Sequence, residues 1–335
     1  MRNTLRISID TGGTFTDCVF LRAGRLHILK VFSTPRNPAE AIHNAVAEVL
    51  RAQTGAHLGA ERPPVVLELS HGTTVGTNAL LERKGARIAL VTTAGFEDVL
   101  MIGRQARPRL YDFFVTLPPA LVPAAWRLGV VERIGAGGEV VQALTTAELR
   151  RLVARVARCR PQAVALCLLF SFANPDHERR IARRLRRAGF LVSASHEIHP
   201  EFREYERTAT VAANAYLVPV MGRYLEEVEQ RAGGQAQVRV MQSSGGTISA
   251  RVAATQPVRT ILSGPAGGVV GACYVAELAG YDRIISFDMG GTSTDVALID
   301  GALQTTNEGH VAGLPVAVPM LDLSLIHISE PTRPY

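Results

Sequence analysis

The sequence predicts an α/β protein: an RNase H-like domain followed by the start of a second one. Three observations carry this expectation. Residues 5–9, 18–21 and 26–32 read as three short apolar strands joined by tight turns, which makes a meander. Helical and strand periodicities then alternate from residue 145 to residue 194, the order from which layered α/β domains are built. Finally, one eight-residue phrase occurs twice. It reads Asp10, Thr11, Gly12, Gly13, Thr14, Phe15, Thr16, Asp17 near the start and Asp288, Met289, Gly290, Gly291, Thr292, Ser293, Thr294, Asp295 near the end, identical at six of eight positions. Apolar runs flank each copy, so each reads as strand, Gly-Gly turn, strand.

The phrase has a chemistry. Glycines let a turn adopt positive φ and approach a ligand closely, while threonine hydroxyls and free turn amides supply donors to one concavity. That concavity suits phosphate oxygens. An aspartate closing the strand would repel bare phosphate but can hold Mg²⁺ while the amides hold the oxygens. Asp10 and Asp288 are therefore the expected catalytic and metal-holding residues. Thr11, Gly12, Gly13, Thr14 and Thr16, with Gly290, Gly291, Thr292 and Thr294, are the expected phosphate cradle. A single copy would read equally well as an ordinary turn with a capping Asp and strand-favouring Thr residues; its duplication favours the site.

Composition narrows the class. At 335 residues, 47% hydrophobic and 20% charged, the chain has room for two globular domains. Aromatic residues make up 6%, too few for base-stacking platforms. The net charge of +6 comes mostly from arginines, densest at Arg179, Arg180, Arg183, Arg184, Arg186 and Arg187 on a helical pattern. That pattern reads as a solvated helix face, so no nucleic-acid partner is expected. Cys18, Cys159, Cys167 and Cys273 show no paired C-x-x-C spacing and sit in apolar surroundings, as reduced core residues of a cytoplasmic protein would. No apolar run approaches the ~18 residues of a membrane span, and the first residues lead straight into a strand.

In chain order, the meander leads to a helix opened by Pro38, with Ala39, Ile42, Val46 and Leu50 as its stripe. A buried strand over 63–69 then enters a Gly/Thr-rich loop, Ser70 to Asn78, followed by a helix over 79–84. Open α/β sheets place ligands at such strand ends, so His71, Thr73, Thr74 and Asn78 are second-tier substrate candidates. Local helix capping is the alternative. A strand over 87–92 and a helix over 97–102 precede an irregular stretch, 103–146, that suits an inserted loop or a partner surface. Next come a helix over 145–158 with Thr146 as N-cap, a strand over 163–170, a helix over 175–187 and a strand over 190–194. His196, Glu197, His199 and Glu201 invite a metal reading, but the spacing is H-E-x-H and Pro200 interrupts it, so local hydrogen bonding is preferred. A long helix over 204–231 is expected to kink or split at Pro219. Last, Gly264, Gly267 and Gly268 open a helix that runs to residue 279. Its free amides and dipole suit a nucleotide, whereas its small side chains suit close packing on a sheet. The second hairpin follows directly, which favours the site.

Together, the paired hairpins resemble the phosphate-1 and phosphate-2 motifs of the sugar kinase, actin and heat-shock chaperone ATPases. SHGTTVGTNALLERKGARIALVTTAGFEDVL (70–100), HEIHPEFREYERT (196–208), SSGGTIS (243–249), SGPAGGVVGA (263–272) and FDMGGTSTDVALIDG (287–301) resemble, more narrowly, the hydantoinase A / 5-oxoprolinase family, which includes acetone and acetophenone carboxylase subunits. The resemblance spans residues 5 to about 322. It implies an actin/hexokinase-type ATPase fold, ATP and Mg²⁺ as cofactors, and phosphorylation of a cyclic amide or ketone oxygen before ring opening or carboxylation. A separate hydantoinase B-type subunit is the implied partner. It also suggests a division into an N-terminal domain, 1–200, the incomplete start of a second, 201–322, and a tail, 323–335. That tail departs from the family's Gly-rich continuation, resembles translated sequencing adaptor, and is expected to carry no element of its own. An ATP-driven conformational switch and an inactive fragment are the alternatives to an enzyme.

Overall fold

The computed structural model describes residues 3–11, 15–22, 24–34, 38–54, 65–105, 111, 114, 119–233, 236–289 and 293–327. The meander forms as β1 (Asn3–Thr11), β2 (Phe15–Arg22) and β3 (Arg25–Phe32). Helix α1 (Pro38–Thr54) buries Ala39, Ile42, Val46 and Val49 along one stripe, which is how an amphipathic helix docks on a sheet. Strand β4 (Val65–Thr73) follows and runs four residues further than its apolar pattern predicts, taking in Ser70, His71, Gly72 and Thr73. Helix α2 therefore begins early, at Val75–Leu81. Of the polar residues that suggested a loop, Ser70, His71 and Thr73 are strand residues, Thr74 is the N-cap of α2, and Thr77 and Asn78 lie within it.

The chain then builds β5 (Ile88–Thr93), α3 (Val99–Ile102), β6 (Arg127–Val130), β7 (Arg133–Ile134), β8 (Val140–Gln142), α4 (Thr146–Cys159), β9 (Ala163–Cys167), α5 (Asp176–Arg187), β10 (Val192–Ala194) and α6 (Ser195–Ile198). The N-cap of α4 is Thr145 and not Thr146: its hydroxyl accepts the Glu148 amide at 3.1 Å. Part of the irregular stretch is a buried parallel strand, β6, and part a small hairpin, β7–β8; residues 106–110, 112–113 and 115–118 of it lie outside the described residues. Helix α7 (Glu204–Ala232) runs 29 residues through Pro219 as one element, so of the expected kink or split the split does not occur. Then come β11 (Gln237–Met241), β12 (Thr247–Ser249), α8 (Ala250–Thr255) and α9 (Ser263–Leu278). The last part comprises β13 (Arg283–Met289), β14 (Ser293–Asp300), β15 (Thr305–Thr306), β16 (Gly309–Val311), β17 (Leu314–Val316), β18 (Met320–Leu321) and β19 (Ser324–His327).

Among the described residues the strands form one six-stranded sheet in the order β12-β11-β4-β1-β2-β3 and one four-stranded sheet, β10-β9-β5-β6. The first has the meander at one edge and parallel β1, β4 and β11 in the middle, the arrangement expected of the RNase H-like half. It takes strands from both sides of residue 200. The alternating segment after residue 87 does not extend that sheet. It forms the separate, all-parallel second sheet, because its buried strands pair with one another. Helix α7 joins the two, packing on β9 and β10 at one end and against α1 and α2 along its length. It buries residues 207–217 almost all round, as an interior helix must.

The third sheet is β13-β14-β19. Strand β19 falls in the tail expected to be without structure: Ser324, Leu325, Ile326 and His327 pair with Val296, Asp295, Thr294 and Ser293 of β14. Around this sheet Tyr274, Val275, Leu278, Tyr281, Ile285, Phe287 and Leu298 are exposed. Among the described residues, no helix is long and apolar enough to cross a membrane.

Candidate functional site

Both copies of the repeated phrase fold alike. At the tip of the β1–β2 hairpin Asp10 pairs with Asp17 and Thr11 with Thr16. At the tip of β13–β14 Asp288 pairs with Asp295 and Met289 with Thr294. The turns themselves, Gly12, Gly13, Thr14 and Gly290, Gly291, Thr292, lie outside the described residues.

Asp10 stands where three elements meet. Its register partner on β4 is Gly72, and a Cβ at Gly72 would come within 2.8 Å of the Asp10 Oδ1. A Cβ on Gly264, at the start of α9, would lie 4.0 Å from the same oxygen. The carboxylate thus occupies room that only glycine at residue 72 leaves free. The side chain keeps an exposed tip, yet burial around its base, followed by the nearby carboxylates of Asp17 and Asp288, holds its pKa above the usual aspartate value. Asp288, from the second hairpin, thus lies near enough to Asp10 to act on it electrostatically. These carboxylates push Asp10 toward protonation, and a cation would reverse that.

Behind Asp10 the wall is built from buried polar groups. His71 is 1% exposed; its Nδ1 lies 3.2 Å from the Ile9 carbonyl and its Nε2 2.5 Å from the Tyr224 hydroxyl. A carbonyl only accepts, so Nδ1 carries the proton and Nε2 accepts from Tyr224. Burial depresses the His71 pKa to about 4, with the Ile9 hydrogen bond opposing it, so the ring is neutral at pH 7. His71 does not reach the cleft as a substrate contact; it ties α7 to the residue before Asp10. Thr11 is also buried, and its Oγ1 lacks a hydrogen-bond partner.

The β4 end is locked to α9. The Ser263 hydroxyl donates to the Thr73 carbonyl at 3.2 Å, and the Leu262 amide donates to Thr77 Oγ1 at 3.1 Å. Thr74 donates to the Thr11 carbonyl at 3.4 Å and accepts from Asn78 Nδ2 at 3.4 Å. Of the second-tier candidates, Thr74 and Asn78 face outward, while Thr73 is buried. The described cradle threonines are all buried: Thr11, Thr16 with its hydroxyl 3.0 Å from Ser33 Oγ, and Thr294. The α9 glycines serve both readings. Gly264 faces Asp10, Gly267 packs with its would-be Cβ 3.2 Å from Met241 Cε, and Gly268 has open space.

Three participants escaped the residue-by-residue reading. Asp17 closes the first phrase and was within reach of the repeat; Ser263 and Tyr224 act through distant pairings that no local pattern encodes. Among the described residues no three His, Cys, Asp or Glu side chains converge tightly enough to hold a metal alone. In the H-E-x-H segment, His196 Nδ1 bonds to the buried Glu178 at 2.8 Å, and His199 is buried with its pKa lowered by that burial.

Known proteins resemble this arrangement. Residues 6–189 match the hydantoinase/oxoprolinase N-terminal region, and residues 207–329 match the hydantoinase/oxoprolinase family. The second match extends into β19. Caprolactamase subunit alpha of Pseudomonas jessenii is 35% identical over 96% of this chain and 47% of its own. The 5-oxoprolinase 1 of Arabidopsis thaliana is 36% identical over 96% of this chain and 28% of its own. The nucleotide-free structure of acetone carboxylase, from work on ATP-dependent acetone carboxylation, superposes with a TM-score of 0.82 at 30% identity, covering 98% of this chain and 48% of that one. The chain therefore spans about half the length of two of these relatives, or less.

Proposed function

Because the chain belongs to the hydantoinase/oxoprolinase family, we propose that its two hairpins hold Mg-ATP for activating the oxygen of a cyclic amide or ketone. The observation that carries it is the setting of Asp10: Gly72 of β4 and Gly264 of α9 border its carboxylate, and Asp17 and Asp288, from both copies of one phrase, lie near enough to add to the rise that burial gives its pKa. Relatives described as ATP-dependent share this fold at 30% and 34% identity.

The donor set fits Mg²⁺. It is hard and all-oxygen, and while Asp17 is paired with Lys30 at 3.1 Å, a magnesium ion uses one or two carboxylates and takes its other ligands from phosphate and water. Asp10 and Asp288 would hold the ion. Bound ATP supplies the phosphoryl group that makes a carbonyl carbon electrophilic. Gly264 and the start of α9 offer amides at a helix N-terminus facing the same carboxylate. The Ser263 and Thr77 bonds keep that helix end in register with β4. His71 and Tyr224 hold the last residues of β1 from behind, so Asp10 is positioned before any ligand arrives. Activity belongs to a longer protein or assembly, with a hydantoinase B-type subunit as the partner and a small cyclic amide or ketone as substrate.

Calorimetric titration of Mg-ATP into the purified chain tests the clamp. Asp10→Asn and Asp288→Asn should each weaken binding at least about tenfold, the loss of one charge-assisted contact. Unchanged affinity in both variants would remove the hairpins from the nucleotide site.

A further inference from the structure

The second sheet carries an unused charge. Arg207, on the second turn of α7, is 1% exposed and the largest side chain among those almost fully buried. Its Nη2 donates to the Leu168 carbonyl at 2.7 Å, and its guanidinium lies 5.1 Å from the Phe172 ring centroid. Its Nε and Nη1 are buried and lack hydrogen-bond partners. A buried cation left in this way is unfavourable, so a chain that keeps one has a use for it.

The surroundings supply the use. Beside Arg207 is a space of about 10 Å³ walled by Thr92, Phe96, Cys167, Glu204 and Thr208, room for one oxygen atom. It sits past the carboxyl ends of β5 and β9. In the order β10-β9-β5-β6 the chain leaves β5 toward β6 on one side and returns to β9 on the other, so this is the point where the strand order reverses. Open parallel sheets bind ligands there. The start of α7 lines the same space through Glu204, Arg207 and Thr208, and its N-cap, Arg203, gives no side-chain cap, which leaves a helix dipole that favours an anion. Half-buried Phe96, Val99 and Glu204 line the space on its more exposed side.

We propose that Arg207 is the receptor for a small carboxylate ligand, one oxygen of which occupies this space. A water would fill the volume but bring no charge, whereas a carboxylate oxygen accepts from the guanidinium and neutralises it. Glu204 across the mouth limits the ligand to a small, singly charged group. The site is separate from the hairpin cleft and stands whether or not that cleft binds ATP.

Thermal unfolding of the 335-residue chain in sodium acetate or formate, against sodium chloride at equal ionic strength, tests the proposal. Wild type should gain a carboxylate-specific rise in Tm that saturates in the millimolar range. Arg207→Met should be more stable than wild type in chloride, because it removes an unpaired buried charge, and should show no carboxylate increment. Arg207→Lys should bind at least about tenfold more weakly, since it loses the planar fork. No acetate increment in wild type, or an increment retained in Arg207→Met, overturns the proposal. If Arg207→Met does not fold, unchanged carboxylate affinity in Arg207→Lys overturns it equally.

Discussion

His71 gives the protein a calculable acid sensitivity. Its ring is sealed between the Ile9 carbonyl and the Tyr224 hydroxyl, and its pKa falls from 6.5 to about 4 on folding. The unfolded chain therefore binds a proton more readily than the native one, so this residue's stability contribution is full above the unfolded value and drains away as pH falls toward the folded one. Over the whole window the loss is about 3 kcal/mol, of which about 2 kcal/mol is gone by roughly pH 5. His71→Gln removes the titration and keeps a side chain that can donate and accept. Urea unfolding of wild type and variant between about pH 7 and pH 4.5 isolates the residue, since all other groups are shared. The stability difference should shrink by about 2 kcal/mol from pH 7 to pH 5. Parallel profiles would mean that His71 titrates normally, and that the buried, neutral ring is wrong.

Further substitutions probe the neighbouring contacts. Tyr224→Phe deletes the donor to His71 Nε2 and should cost about 1–3 kcal/mol in urea unfolding at neutral pH, the penalty for a buried acceptor left alone. Gly72→Ala sets a methyl 2.8 Å from Asp10 Oδ1; it should leave Tm nearly unchanged while weakening Mg-ATP binding in calorimetry. Gly85→Ala would place Cβ 2.1 Å from the Tyr216 ring and should lose about 1–3 kcal/mol through overpacking. Buried Glu178 accepts from the Leu168 amide, Ser195 Oγ, and both the amide and Nδ1 of His196. Burial alone would raise its pKa, but these donors outweigh it and hold it low. Glu178→Gln should thus destabilise by about 3–5 kcal/mol above the carboxylate range, with a smaller difference from wild type as pH drops through that range.

What was legible in the sequence was what short-range chemistry encodes. The repeated phrase fixed two hairpins, and their registers set Asp10 opposite Asp17 and Asp288 opposite Asp295. The stripes of α1 and α4 showed in the 3.6-residue spacing. Strand β4 was cut short because Ser70, His71 and Thr73 look like loop residues; they are strand residues because α7 brings Tyr224 to one and α9 brings Ser263 to another. Strand β6 hid in a Pro- and Arg-rich stretch because four residues carry no period, and only β5 beside it makes it a strand. Helix α7 read as kinked or split at Pro219 because a proline removes one rung of the ladder; packing on both sides keeps it one helix. Arg207 gave no signal, since its burial comes from the approach of the second sheet.

The length of α7 has a mechanical consequence. Arg207 and Tyr224 stand seventeen residues apart on one helix, about 25 Å at a rise of 1.5 Å per residue. One end borders the crevice of the second sheet, and the other presses on the strand that presents Asp10. Such a rod cannot slide or roll to admit a guest at its first turn without moving the wall behind the aspartate by a similar amount. The two ends are then a single lever with its fulcrum in the core, and Pro219, between them, is where the lever can bend.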